Sequence, residues 1–216
     1  MNMVMHTNPT GKTDTIYLFG DSHANSNFIG LTVPDKHVRI LNQNSVTMHR
    51  IGRDGKIINM RPQYNSSNSI FILAYGEVDA RCHVKRQMDA GREMDAVVGE
   101  LVDAYFATIT RTITQYAKIV ICSIVPPISM AEHDLHNGPV KHQYGFVGSD
   151  EERVRFTRAI NARLEAKCAT VPNCVYFDFY EHYANPDGTL KFELSDKICH
   201  IADNRYILDA VAKLLA

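Results

Sequence analysis

Five short stretches of the chain are apolar with little interruption, and most stop at a turn signal. Residues 15–19 run into Gly20-Asp21-Ser22, 69–75 into Gly76, and 117–125 into Pro126-Pro127; 37–41 and 174–179 complete the set. Runs of this length bounded by Gly and Pro read as strands. Three of them are continuous rather than alternating, which points to a parallel sheet covered on both faces. Between them the apolar period changes to three and four. From Asp95 onward, Val98, Val102, Tyr105, Ile109, Ile113 and Tyr116 form one stripe, as on an amphipathic helix packed on a sheet. Residues 151–169, with Val154, Ile160 and Leu164, predict a second helix, 201–215 a third, and 26–31 a short fourth. Strands alternating with such helices make βαβ crossovers and an open doubly wound sheet. Residues 126–149 are rich in His, Pro and Gly and read as a long connection of the kind that often carries function. No repeat or compositional break divides the chain, so residues 15–216 are expected to form one domain behind a polar, flexible tail, 1–14.

Composition narrows the function classes. The 216 residues include 23 basic and 24 acidic ones, for a formal net charge of -1, which argues against a nucleic-acid partner. No apolar run approaches 18 residues, and the N-terminus lacks the apolar core of a signal peptide, so neither a membrane span nor export is expected. Five cysteines, at 82, 122, 168, 174 and 199, contain no CxxC pair and read as reduced thiols in a cytoplasmic protein. Neither a P-loop nor G-x-G-x-x-G occurs, and no cofactor is expected.

In a doubly wound sheet, ligands bind beyond the carboxyl ends of the strands. Ser22 follows the first strand in a tight turn, and His200 with Asp196 follows the last. A serine becomes a nucleophile when a histidine takes its proton and a carboxylate fixes the histidine tautomer. The blander alternatives are a helix cap for Ser22 and an ordinary half-buried histidine for His200. The G-x-S-x-G elbow is absent, since residues 20 to 24 read Gly-Asp-Ser-His-Ala.

Leu18-Phe19-Gly20-Asp21-Ser22-His23 resembles the first block of the SGNH hydrolases, the GDSL-like esterases and lipases. The resemblance extends in order through Met48-His49-Arg50-Ile51-Gly52, Gly76-Glu77-Val78-Asp79 and Ser195-Asp196-Lys197-Ile198-Cys199-His200. It implies a three-layer α/β/α sandwich, flavodoxin-like, with a five-stranded, mostly parallel sheet. It also implies Ser22 as nucleophile, His200 as base, Asp196 as its orienting carboxylate and Gly52 as an oxyanion donor. Two departures stand out. The asparagine of the third block, which donates to the oxyanion, falls at Val78, and valine has no donor; Arg81 is the nearest replacement. The aspartate precedes the histidine by four residues rather than three, which leaves Asp203 and Glu193 as alternatives. The stretch 71–83 resembles an SGNH-like subgroup in which Gly76, Glu77, Asp79, Arg81 and His83 stand in for the usual third block and join the substrate-binding side.

The expectation is therefore a serine esterase acting on an ester-linked acyl group, with acetyl on a carbohydrate the leading candidate and a small-molecule or glycan ester as partner. An O-acyltransferase shares the first half-reaction. A non-catalytic glycan- or ligand-binding relative is the rival that Val78 supports. His133, His136, Tyr144 and Phe146 are expected to frame the leaving-group side. His133, Asp134, His136 and His142 lie within ten residues of one another, but their spacing matches no recognised zinc motif, and no metal is assigned. Cys199 adjoins His200, yet on a helix neighbouring residues face apart.

Overall fold

The computed structural model describes residues 14–139 and 145–216. Five strands, β1 (Asp14–Gly20), β2 (Lys36–Asn42), β3 (Ser69–Ala74), β4 (Lys118–Cys122) and β5 (Cys174–Phe177), form one sheet of order β2-β1-β3-β4-β5. Every pairing is parallel. The order reverses between β1 and β3, which opens a crevice at the carboxyl edge where β1 delivers Ser22.

Alternate strand residues feed two cores. Tyr17, Phe19, Phe71, Leu73, Ile119 and Ile121 pack on one face with Ile51, Val102, Tyr105, Ile109, Phe156 and Ile160. Those partners lie on α2 (Met48–Asp54), α4 (Met94–Thr112) and α6 (Asp150–Cys168). Ile16, Leu18, Ile70, Ile72 and Val120 pack on the other face with Phe28, Ile207, Val211 and Leu215, from α1 (Ser22–Phe28) and α8 (Arg205–Leu215). The uninterrupted apolar strands are thus buried on both sides, as a period-2 backbone requires when helices cover both faces. The expected three-layer α/β/α sandwich with a five-stranded parallel sheet is what the chain forms. No described helix is long and apolar enough to cross a membrane.

Several elements depart from the sequence expectation. The first helix begins at Ser22 itself, with Asp21 as its cap: the Asp21 carboxylate accepts the His23 N–H at 2.9 Å. Residues 48–54, which include the expected oxyanion donor Gly52, are helical and capped by Thr47. The connection 126–149 contains a helix, α5 (Met130–Asn137), and its residues 140–144, with His142 and Tyr144, lie outside the described set, as do residues 1–13 of the expected tail. The last helix starts at Arg205, so His200 sits in a loop before it. Among the described residues there are also two short α-helices, α3 (Val84–Asp89), entered through a π-helical turn at Asp79–His83, and α7 (Tyr180–Tyr183), beyond β5, and two 3-10 turns, at Pro62–Tyr64 and Phe192–Leu194.

Candidate active site

The His200 loop is a closed turn. Ser195 and Ile201 pair as an antiparallel bridge, and Asp196 N–H donates to the His200 carbonyl at 2.9 Å. Inside it the Asp196 Oδ1 accepts the N–H groups of Ile198, Cys199 and His200 at 2.8, 3.0 and 3.0 Å. Lys197 adopts a left-handed φ of 70°, and that bend accommodates the extra residue between aspartate and histidine. The remaining oxygen, Asp196 Oδ2, lies 2.7 Å from His200 Nδ1. On the opposite side of the ring, His200 Nε2 is 2.9 Å from Ser22 Oγ. A carboxylate only accepts, so Nδ1 carries a proton and, in the neutral ring, Nε2 presents its lone pair to the serine hydroxyl. Asp203 is bonded to Arg205 instead, which removes it as the orienting carboxylate.

Electrostatics follow from this arrangement. Burial alone would lower the His200 pKa. The hydrogen bond to Asp196, then the contact with Cys199, outweigh it and raise His200 to about 9. Asp196 is held well below the usual carboxylate range: burial opposes this, but the hydrogen bonds from the His200 ring and the backbone prevail. Cys199 Sγ lies 3.8 Å from both His200 ring nitrogens, so the expectation that Cys199 faces away is corrected, because the segment is a turn and not a helix. Equal distances to the two nitrogens place the sulfur off the in-plane lone-pair direction of either. His23, Cys199 and His200 bring candidate ligand atoms within 4.8 Å, while the ring nitrogens of both histidines already face Asp21, the Cys199 carbonyl, Asp196 and Ser22.

Beside Ser22 and His200 opens a cavity of about 330 Å³ lined by Asn25, Ser26, Asn42 and Asn44. Sequence reasoning passed over these amides. Their signal was position: Asn42 ends β2 directly beside Gly20 of β1, at the carboxyl edge where ligands gather.

Other expected site residues fall elsewhere. Gly52 faces α4 inside α2, where an added Cβ would come within 2.8 Å of Ala104 Cβ; it is a close-packing glycine, not an oxyanion donor. His83 stacks on His49 with ring centroids 4.3 Å apart. Both line a separate cavity of about 230 Å³ together with Gly52, Arg53 and Arg92. Burial, then the neighbouring His49, Arg92 and Arg86, push His83 down to about 4. Arg81, buried, pairs with Glu77 through Nε at 2.8 Å and stacks over Phe146; it does not line the serine cavity. Asp79 is fully buried and accepts the N–H groups of Met48 and His49 at 2.7 and 3.1 Å. It thereby secures the start of α2. Gly76 has φ 118°, and a side chain there would strike Ile124 and Met48. The third block is thus a brace behind the site. Val78 is buried and brings no donor. Phe146 is held between Arg81, Arg153 and His133, while His136 is exposed and rests on Phe192.

No family model and no curated protein sequence matches the chain. Solved structures share its fold at low identity. A proposed platelet activating factor from Streptococcus pneumonia aligns with a TM-score of 0.66 and 12% identity, over 95% of this chain and 85% of the other. A GDSL-like lipase from Bacteroides thetaiotaomicron aligns at 0.54 and 11%, over 94% and 86%. Phospholipase A1 from Streptomyces albidoflavus aligns at 0.52 and 14%, over 94% and 99%. The chain shares the fold of these proteins, a GDSL-like lipase among them.

Proposed function

We propose that the chain is a serine ester hydrolase that removes a short acyl group, acetyl foremost, from a polar alcohol such as a carbohydrate. The observation that carries this reading is the continuous chain Asp196–His200–Ser22, at 2.7 and 2.9 Å. Neutral His200 takes the Ser22 proton as Oγ attacks the ester carbonyl, and the alcohol departs with that proton. Water then attacks the acyl-serine, with His200 again as base, and regenerates Ser22. An acceptor alcohol in place of water would make the same site a transferase. The Ser22 backbone N–H and the Asn44 amide, across the cavity, are the proposed oxyanion donors; they replace Gly52 and compensate for Val78. The cavity lining supports the substrate class. Asn25, Ser26, Asn42 and Asn44 offer donors and acceptors to hydroxyl groups, and no aliphatic side chain is among the residues that line the cavity. Fold likeness to a lipase and a phospholipase is consistent with ester chemistry but does not by itself assign it.

A panel of p-nitrophenyl esters from acetate to decanoate, followed by acetylated mono- and oligosaccharides, tests the substrate class. The expected result is acetate as the best acyl group, with kcat/KM falling as the chain lengthens. Preference for decanoate would overturn the short-acyl reading.

A further inference from the structure

His23 immediately follows Ser22 and is almost fully buried, at 4% exposure. Its Nδ1 lies 3.0 Å from Asp21 Oδ1, and its Nε2 lies 3.2 Å from the Cys199 carbonyl oxygen. A carboxylate and a carbonyl both only accept, so each ring nitrogen must carry a proton for both bonds to form. The geometry therefore describes an imidazolium. Its other neighbours agree. Glu77 Oε2 lies 3.9 Å from Nε2, and Glu77 is in turn paired with Arg81. The second oxygens, Asp21 Oδ2 and Glu77 Oε2, are buried without a hydrogen-bond partner among the described residues, and a positive charge on the ring between the two carboxylates offsets part of the cost of burying them. Behind them Asp79 is pushed up to about 7 by burial, despite the two backbone N–H bonds it accepts. On the remaining side are Cys199 and the His200 ring, whose centroid is 4.5 Å from that of His23.

We infer that His23 is a positioning residue: it bolts the Ser22 turn to the His200 loop and holds a fixed positive charge against the His200 ring. The bolt is the bond from Nε2–H to the Cys199 carbonyl, which joins the residue after the proposed nucleophile to the residue before the proposed base. Residues 22 and 200 come from opposite ends of the chain, and this is a direct side-chain link between their immediate neighbours. The charge has a second effect. Asp196 favours the protonated form of His200, and a cation beside the ring disfavours it. His23 thereby keeps more of His200 in the neutral form that can act as a base. Burial opposes the charge on His23, but Asp21 and Glu77 raise its pKa well above the ordinary value. This inference rests on the proposed function only for its catalytic consequence.

Side-chain ¹⁵N NMR of the full chain, with and without His23→Gln, tests it. Both His23 nitrogens are expected to be protonated across the neutral range in the wild type. In His23→Gln, which can still donate to the Cys199 carbonyl but is neutral, the His200 midpoint should rise by roughly one pH unit. His23→Leu, which loses bolt and charge together, should lower kcat by about tenfold or more with KM changed by less than about twofold. A merely structural role would lower thermal stability without moving the His200 midpoint. A singly protonated His23 in the wild type, which is read without any variant, overturns the inference, as does an unmoved His200 midpoint in folded His23→Gln. If the NMR results are as expected but no ester is cleaved, the link between His23 and His200 stands and the hydrolase reading falls.

Discussion

Replacing Asp196 with Asn is the perturbation most closely specified by the structure. Asp196 Oδ2 receives the His200 Nδ1–H at 2.7 Å, while Oδ1 receives three backbone N–H groups of the same turn. An asparagine keeps its carbonyl oxygen for the three backbone donors, because turning the amide around would set its NH2 against all of them. The NH2 group then faces Nδ1. It can donate but not accept, so the imidazole is driven to carry its proton on Nε2, where it can no longer take one from Ser22. Loss of the useful tautomer at a serine triad costs about 10⁴ in kcat, or roughly 5.4 kcal/mol at about 1.36 kcal/mol per decade. The carboxylate also raises His200 to about 9. Neutral His200 is the proposed base, so wild-type kcat/KM should climb with pH through that region. In Asp196→Asn the raising bond is gone while burial and His23 still lower the pKa, so the residual activity should reach its plateau at lower pH. Stopped-flow hydrolysis of p-nitrophenyl acetate across the neutral to alkaline range measures both effects. Activity of Asp196→Asn within threefold of wild type, with an unshifted profile, would refute the assignment of Asp196.

Val78 is buried in the brace and does not line the serine cavity, so Val78→Asn is expected to lower thermal stability without raising kcat; steady-state kinetics alongside thermal melts reads both, and a gain in kcat of about tenfold would overturn the placement of the third block behind the site. Asn44→Ala should lower kcat by about 10² with little change in KM if its amide faces the oxyanion, as single-turnover acylation would report. Gly52→Ala adds a methyl within 2.8 Å of Ala104 Cβ; the clash, about 1 to 3 kcal/mol, exceeds the helix-propensity gain of about 1 kcal/mol. Urea denaturation should show a net loss, with kcat/KM of the folded protein unchanged.

The sheet was legible because strands buried on both faces write themselves as unbroken apolar runs, and residues 15–19, 69–75 and 117–125 do so. Helices α4 and α6 were legible from their period. Helix α2 was not: seven residues give less than two turns, too few for a stripe to repeat. Gly52 entered the expected oxyanion site through the resemblance of residues 48–52 to a family block, not through a reading of local structure. Ser22 stood out from its strand-end turn, and His200 from its place after the last strand and from the resemblance of residues 195–200 to a family block. The closeness of Cys199 to His200 did not, since it depends on the left-handed turn at Lys197, a conformation that a lysine does not announce. Arg81 and Glu77 stood out as charges, but their pairing with each other and with Phe146 is a tertiary fact. The amides of Asn42 and Asn44 were visible only through their place at the end of β2.

The central claim, that Ser22 is an activated nucleophile, is tested most directly by intact-mass analysis after exposure to a small fluorophosphonate. One adduct is expected on the wild type, none on Ser22→Ala and much slower labelling of His200→Ala. A folded wild-type protein that takes up no adduct, or one whose adduct persists in Ser22→Ala, would contradict it.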